Sequence, residues 1–218
     1  MRWWKLFGLA GLIGVAATGV VIARAERQRR AYTPQEIRER LHERHAAAST
    51  DDDAVTLRPA RLDDSKAVAE IWYHGWRDGH LGHVPEDLLA ARTRESFGLR
   101  APQRVGDTVV ATVDDAVAGF VMVVDDEVEQ VYVSTHHRGT GVATVLLAEA
   151  ERLVAVNGHE RAWLAVVAGN TRARRFYERN GWTDEGLFDH HAPSADGPIP
   201  VPAHRYVKRV TDTQNART

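Results

Sequence analysis

The stretch VYVSTHHRGTGVA, residues 131–143, decides how the middle of this chain folds. A β-branched apolar strand ends at Val133, a basic loop with two glycines follows, and a helix with apolar periodicity begins at once. The first N–H groups of a helix have no intrahelical partner, and their dipoles, together with Arg138, favour a bound phosphate. The predicted donors are the N–H groups of Gly139, Thr140, Gly141 and Val142. The stretch predicts a pyrophosphate site, although glycines between a strand and a helix also serve as a simple tight turn.

A second segment, NTRARRFYERNGW at residues 170–182, accompanies the first. Residues 138–143 fit the Arg/Gln-x-x-Gly-x-Gly/Ala pattern of the GNAT acyltransferases, and the second segment is similar to that family's Asn…Phe-Tyr…Gly-Trp/Phe segment. From about residue 55 to residue 210 the chain resembles a GNAT N-acetyltransferase. The resemblance implies an α/β fold with a mixed, largely antiparallel central sheet flanked by helices. It also implies acetyl-CoA as acyl donor, with the pantetheine arm between two strands that splay apart.

The resemblance assigns several residues to the cofactor. Backbone groups of the strand before the loop, here Val131, Tyr132 and Val133, are expected to hold the pantetheine and the thioester carbonyl. The loop residues expected at the pyrophosphate are Arg138, Gly139, Thr140, Gly141, Val142 and Ala143. Asn170 is expected to contact the cofactor and to start a helix, and an Asn in that position is also explained as an N-cap alone. Thr135 replaces a proline common in the family, which removes no donor to phosphate.

Tyr177 is the candidate general acid. It matches the tyrosine that the family places beside the CoA sulfur, so the resemblance implies that it protonates the departing thiolate. Tyr177 also counts among the cofactor-binding residues for the same reason. The alternative role is aromatic packing on its helix, as expected for Phe176.

Glu129 is the candidate base or amine-binding group. Strict alternation along its strand places it on one face with Val131 and Val133. The opposite face then carries Val128, Gln130 and Tyr132. A carboxylate on an apolar face is costly unless the face opens into a cleft or the charge is paired, so a structural ion pair is the alternative. Glu127 is the second choice as base, because its position beside two aspartates suits a hairpin tip.

Three residues of one predicted helix are candidates for the acceptor pocket: Trp72, Trp76 and His80. Trp72 and Trp76 lie four residues apart on one helical face, which by itself is more typical of core packing. The family's first two helices cover the acceptor end of the cleft, so an aromatic can serve both purposes. His80 and His83 are the closest approach to metal-ligand spacing, but no carboxylate or third histidine completes a pattern, and no metal is expected.

Composition excludes some classes of function. The chain has 218 residues and a formal charge of −2, which argues against nucleic acid as a partner. It has no cysteine, so neither disulfides nor thiolate nucleophiles are available. Since no serine stands in a nucleophile motif either, acetyl transfer is expected by direct attack of the amine in a ternary complex.

The N-terminus predicts a single membrane anchor. Residues 6–23 are uncharged and mostly apolar, a tryptophan pair precedes them, and four arginines follow. Spanning a bilayer takes about 20 residues, and the excess of arginines on the C-terminal side places that side in the cytoplasm. A cleaved signal peptide and a buried helix are the alternatives, but arginines directly after the run oppose cleavage.

The predicted organisation has four parts. Residues 1–25 form the membrane anchor with its flanks, residues 26–53 a charged helical stalk and linker, residues 54–210 the acetyltransferase domain, and residues 211–218 a polar tail. A homodimer is compatible with this arrangement. The rival hypothesis is a catalytically silent acyl-CoA-binding module whose stalk recruits a partner at the membrane. An intact Tyr177 and Asn170 favour the enzyme, whereas a missing cleft near Glu129 would favour the rival.

Periodicity and turn residues predict the elements of the domain. Helices are expected over residues 64–79, 85–97, 141–157 and 171–180. Strands are expected over residues 55–58, 108–113, 117–124, 128–133, 162–167, 183–188 and 204–208. Aspartate pairs at residues 114–115 and 125–126 predict the two hairpin turns.

Overall fold

A seven-stranded sheet organises the residues that the computed structural model describes, 54–194 and 197–210. The predicted anchor (1–25), stalk (26–53) and tail (211–218) fall outside the described residues. The strands lie in the order β1-β2-β3-β4-β5-β7-β6. Their bounds are β1 Thr56–Pro59, β2 Thr108–Val113, β3 Ala116–Val124, β4 Glu127–Val133, β5 Arg161–Val167, β6 Thr183–Ala192 and β7 Ile199–Arg209.

All neighbouring strands pair antiparallel except β4 and β5, which are parallel. The predicted mixed, largely antiparallel sheet is therefore confirmed. Both predicted hairpin turns are also present, with Asp114, Asp115 and Asp125 at positive φ (50°, 61° and 51°). Aspartate tolerates this left-handed region better than most residues, which explains its place at both turns.

Within the described residues, five α-helices flank the sheet: α1 Ser65–His80, α2 Glu86–Ala91, α3 Arg94–Gln103, α4 Val142–Val156 and α5 Thr171–Arg179. The predicted single helix over residues 85–97 is wrong, because the chain leaves helical geometry at Arg92 (φ −100°, ψ 59°). A new helix begins at once, since the Thr93 hydroxyl accepts a hydrogen bond from the Ser96 N–H at 3.1 Å. This break separates α2 from α3.

Two apolar clusters hold the helices to opposite faces of the sheet. On one face α4 and α5 pack through Val142, Leu146, Leu147, Val154 and Tyr177. On the other face α1 and α3 pack through Trp72 and Phe97, whose rings lie 5.2 Å apart against Phe120. Phe97 is fully buried, and removing such a side chain typically costs about 3–5 kcal/mol of stability.

A β-bulge at Glu129 changes which way the side chains of β4 point. Gln130 pairs with Met122 and Val128 with Val123, so Glu129 has no partner of its own on β3. Val128 therefore lies in the cluster under α4 with Val131, and the Glu129 carboxylate reaches the Arg104 guanidinium beyond α3. The prediction that Glu129 shares a face with Val131 and Val133, and that Val128 lies on the other, was wrong, because strict alternation fails at an extra residue.

Strands β4 and β5 part almost as soon as they meet. Within the described residues they pair only at Glu127 and Trp163, where the Trp163 N–H also donates to the Asp126 carbonyl at 3.0 Å. A bulge bends and twists its strand, which carries β4 away from β5 beyond this point. The splay that the family resemblance implied is confirmed.

None of the helices in the described part of the chain is long and apolar enough to span a bilayer. The apolar run at residues 6–23 lies outside that part.

Candidate active site

The candidate site is a cleft of about 300 Å³ between the separated halves of β4 and β5. Consecutive residues of both strands line it, 127–132 on β4 and 164–167 on β5. Beyond Glu127 the facing edges of these strands have no ladder partner among the described residues. Buried backbone N–H and C=O groups require hydrogen bonds, so this gap suits a ligand that carries amides of its own. The predicted Val131 and Tyr132 line the cleft, whereas Val133 follows them at the end of β4.

The glycine loop, residues 138–143, connects β4 to α4. Gly139 and Gly141 have φ of +84° and +94°, in a region that side chains with a Cβ rarely adopt. A Cβ at either position would meet no atom within 4 Å, so conformation rather than crowding requires glycine. Gly141 caps α4 and leaves the N–H groups of Val142 and Ala143 without intrahelical partners. The loop therefore presents the N–H groups of Val142, one of the predicted donors, and of Ala143 at the positive end of a helix dipole.

Two side chains of the loop have partners. Arg138 donates to the Asp78 carboxylate of α1 at 2.7 Å and so links the loop to the opposite helix layer. The Thr140 hydroxyl donates to the His137 carbonyl at 2.7 Å. The Thr140 N–H makes a long hydrogen bond with the same carbonyl at 3.5 Å, so this donor is partly engaged.

Helix α5 places Asn170 and Tyr177 in the cleft wall. Asn170 is the N-cap, because its side-chain oxygen accepts the Ala173 N–H at 3.1 Å, and its amide nitrogen lies close to Gly79 of α1. Tyr177 is buried among aromatic rings, with Trp182 and Tyr206 each 6.0 Å away. Burial raises the pKa of Tyr177, so its phenol stays protonated throughout the neutral range.

The two glutamates of β4 have different surroundings. Glu129 accepts a hydrogen bond from Arg104 at 2.7 Å, and Arg104 also donates to Asp107 at 2.7 Å. Burial lowers the pKa of Arg104, but these two bonds outweigh it and hold that pKa above its ordinary value. Glu127 lines the same cleft without a hydrogen-bond donor among the described residues. Burial, together with the negative charges of Glu129 and Asp126, raises the pKa of Glu127 to about 7.

The three predicted acceptor residues of α1 all line the cleft. Trp72 is also core, since its indole packs on Phe97 and its Nε1 donates to the Gln130 side chain at 3.0 Å. The Trp76 and His80 rings are stacked with centroids 4.7 Å apart. Burial lowers the pKa of His80 to about 4, so this imidazole is neutral at physiological pH. Core packing and cleft lining are therefore combined in the same side chains.

The cleft also contains residues that the sequence did not single out. Three arginines, Arg92, Arg100 and Arg104, and two histidines, His190 and His191, line it. Positions 92, 100 and 104 are separated by multiples of four residues, a spacing that would place the three arginines on one face of a continuous helix. This spacing is a sequence signal that could have identified them, but the break at Arg92 interrupts the helix. The histidines come from the far part of β6, beyond the predicted end of that strand. The described residues contain no cluster of three or more side chains placed to bind a metal ion.

Comparison with known proteins places this geometry in context. The sequence profile of the acetyltransferase (GNAT) family matches residues 66–182, more than half of the chain. Uncharacterized N-acetyltransferases of Mycobacterium bovis and Mycobacterium tuberculosis are 32% identical over 108 residues, which cover 47% of this chain and 67% of theirs.

Solved structures share the fold at lower identity. A GCN5-related N-acetyltransferase from Rhodopseudomonas palustris superimposes with a TM-score of 0.55 at 19% identity, over 71% of this chain and 94% of its own. The acetyltransferase YncA from Salmonella typhimurium, determined with acetyl-CoA, gives a TM-score of 0.54 at 18% identity, over 73% of this chain and 95% of its own.

Proposed function

This chain belongs to the GNAT acetyltransferase family, and from that premise we propose that it transfers an acetyl group from acetyl-CoA to a primary amine by direct attack in a ternary complex. The observation that carries the proposal is the cleft between β4 and β5. The glycine loop lies at one end of β4, and the ionisable residues lie at the other. Donor and acceptor can therefore approach the same gap from different sides. The rival hypothesis of a silent binding module predicted that no cleft would lie near Glu129, so the presence of this cleft disfavours it.

Acetyl-CoA is the acyl donor, as in the YncA complex. The N–H groups of Gly141, Val142 and Ala143, at the start of α4, suit the pyrophosphate. The unpaired backbone edge of β4 at Val131 and Tyr132 suits the amides of the pantetheine arm.

We assign the base to Glu127 instead of Glu129. The attacking amine must lose a proton, and a general base works best when its pKa lies near the operating pH. Glu127, with a pKa of about 7 and a position in the cleft wall, meets this requirement. Glu129 is held by Arg104, so it serves as an ion-pair partner whose negative charge helps to raise the pKa of Glu127.

Tyr177 supplies the proton to the thiolate in this proposal. Its buried phenol stays protonated at neutral pH, and the described residues provide its hydroxyl with no hydrogen-bond acceptor, which leaves that proton directed to a ligand. The bond between the thioester carbon and sulfur breaks as the amine nitrogen bonds to that carbon. Glu127 takes the amine proton, and Tyr177 gives its own to sulfur.

Initial-velocity kinetics test the direct attack. With the full chain, acetyl-CoA and an amine varied against each other should give intersecting double-reciprocal lines, because both substrates must be bound before chemistry. Parallel lines would indicate an acetylated enzyme and would refute the ternary complex.

We also propose that residues 6–23 anchor the enzyme in a membrane, with the acetyltransferase domain facing the cytoplasm. The apolar run, its tryptophan pair and the arginines that follow it support this proposal. Acetyl-CoA is a cytosolic metabolite, so the orientation suits the proposed donor.

A further inference from the structure

The side of the cleft formed by α3 and the end of α2 holds an excess of positive charge. Arg92, Arg100 and Arg104 line it, and burial lowers the pKa of Arg100 only to about 10, so its guanidinium is charged at neutral pH. His80 is neutral there because burial lowers its pKa to about 4, and burial also lowers the pKa of His190. The arginines that face the cleft come from the end of α2 and from α3.

Two of these arginines have no carboxylate partner among the described residues. Arg104 is neutralised by Asp107 and Glu129. Arg92 is only 7% exposed, and its single hydrogen bond goes to the Pro193 carbonyl at 2.7 Å. Arg100 lies 4.6 Å above the Trp72 ring and makes neither an ion pair nor a hydrogen bond within residues 54–194 and 197–210. Glu129 is near enough to raise the pKa of Arg100 but is hydrogen-bonded to Arg104, so the buried Arg92 and half-buried Arg100 leave positive charge in the cleft that a bound anion would balance.

Both arginines line the same cleft as Tyr132 and Glu127. Arg92 and Arg100 lie near enough to Tyr132 to oppose the rise that burial causes in the pKa of its phenol. Tyr132 belongs to the β4 edge that faces the cleft, and Glu127 begins the same strand. The cleft thus offers a proton acceptor at Glu127 and two unpaired guanidinium groups in one cavity.

Resting on the proposed function, we infer that the acceptor is a small primary amine that also carries an anionic group, a carboxylate or a phosphate, bound by Arg92 and Arg100. A guanidinium binds either group through paired N–H donors. The volume of about 300 Å³ lies at the low end for ligand pockets and must also admit the thioester, so the acceptor is of amino-acid size. The walls of Trp72 and Trp76 suit an apolar portion between the two charged ends.

Matched substrates test the inference with the full-length protein. The probes are common α-amino acids against their carboxamides, and phosphoethanolamine against ethanolamine, each assayed for kcat/KM per neutral amine. Referring the rates to the neutral amine removes the difference in ionisation, but the more basic amine of the anionic probe is then slightly the better nucleophile, so only a preference that Arg100→Gln abolishes counts. Such a preference would reflect recognition, and the two pairs separate carboxylate from phosphate. Equal rates within each pair, or preference for the neutral probes, would overturn the inference.

Substitutions of arginines in α3 test whether Arg100 binds the anionic group of the acceptor. Arg100→Gln should lower kcat/KM for the anionic probe about 10- to 100-fold and leave the neutral probe within about threefold, while Arg100→Lys should retain part of the preference. Arg94→Gln is the matched control, because Arg94 begins the same helix, is exposed and pairs with Glu70 outside the cleft. An equal loss for both probes in Arg100→Gln would show a structural role and contradict the inference.

Calorimetric binding of the same probes to the CoA complex separates this inference from the proposed function. If no amine is acetylated but the anionic probe binds more tightly and Arg100→Gln removes that difference, the acetyltransferase proposal fails and the anion site stands. If amines are acetylated without discrimination, the proposed function stands and the anion site fails. If neither probe binds preferentially, the anion site is refuted whatever the activity.

Discussion

Replacing Glu127 by Gln should abolish the acid limb of the pH–rate profile. Glu127 has a pKa of about 7, raised by burial and by the charges of Glu129 and Asp126. A base with this pKa is ionised in only about one molecule in a hundred at pH 5, so kcat/KM of the wild type, calculated on neutral amine, should fall about 100-fold from its alkaline plateau to pH 5. In Glu127→Gln the profile should be flat, and its plateau should lie about 10²- to 10⁴-fold below that of the wild type.

Glu129→Gln is the matched control, because it removes a carboxylate from the same strand. Loss of that negative charge, and release of Arg104 from its ion pair, should lower the pKa of Glu127. The limb should move to lower pH while the plateau persists. The assay is thiol release from acetyl-CoA across pH 5–9 with a good acceptor. A flat profile in Glu129→Gln, together with a normal limb in Glu127→Gln, would refute the assignment and return the base to Glu129.

The pH dependence of the free energy of unfolding gives a second test of the raised pKa of Glu127. The folded-state pKa of Glu127 is raised above the ordinary value of 4.5, so the folded protein holds a proton that the unfolded chain has lost. The contribution of Glu127 to the free energy of unfolding should therefore fall as pH rises from about 4.5 to about 7 and then level off, whereas His80, whose pKa burial lowers to about 4, has the opposite dependence, so the contribution is measured as the difference between wild type and variant. Glu127→Gln should reduce that fall in denaturant titrations, and an unchanged pH dependence would show that Glu127 is not desolvated.

Three further outcomes are expected. Tyr177→Phe should lower kcat about 10²- to 10⁴-fold with little change in the Kd of acetyl-CoA, and a kcat within about threefold of wild type would exclude Tyr177 as the acid. Gly141→Asp should weaken CoA binding by calorimetry far more than Gly141→Asn, which has the same shape and tolerates positive φ without adding charge; equal affinities would mean that no phosphate lies at this loop. A reporter fused after Thr218 should behave as cytoplasmic and the protein should sediment with membranes, whereas an exported reporter would contradict the proposed anchor at residues 6–23.

Local patterns determined most of the fold. The β4–loop–α4 unit, both aspartate hairpins and the Asn170 cap depend on residues within a few positions of one another, and all are present. The sequence underestimated the length of β7, which begins at Ile199, five residues before the expected start. Prolines at 200 and 202 argue against a strand by local criteria, so the prediction excluded this part. Both prolines alternate with the buried Val201 and Ala203.

The sequence alone determined the glycine loop before α4, the asparagine cap and the order of most helices and strands, because each is encoded by contiguous residues whose backbone preferences agree. The tertiary structure decided which glutamate of β4 is ion-paired and which arginines line the cleft. One extra residue in β4, recognisable only against its partner strand, turned Glu129 toward Arg104, while Glu127 lines the same cleft without a hydrogen-bond donor among the described residues. Burial and neighbouring charge then set the pKa of Glu127, and the break at Arg92 placed two arginines without carboxylate partners in the same cavity. These properties depend on desolvation and on charges that are distant in sequence, which no local pattern encodes.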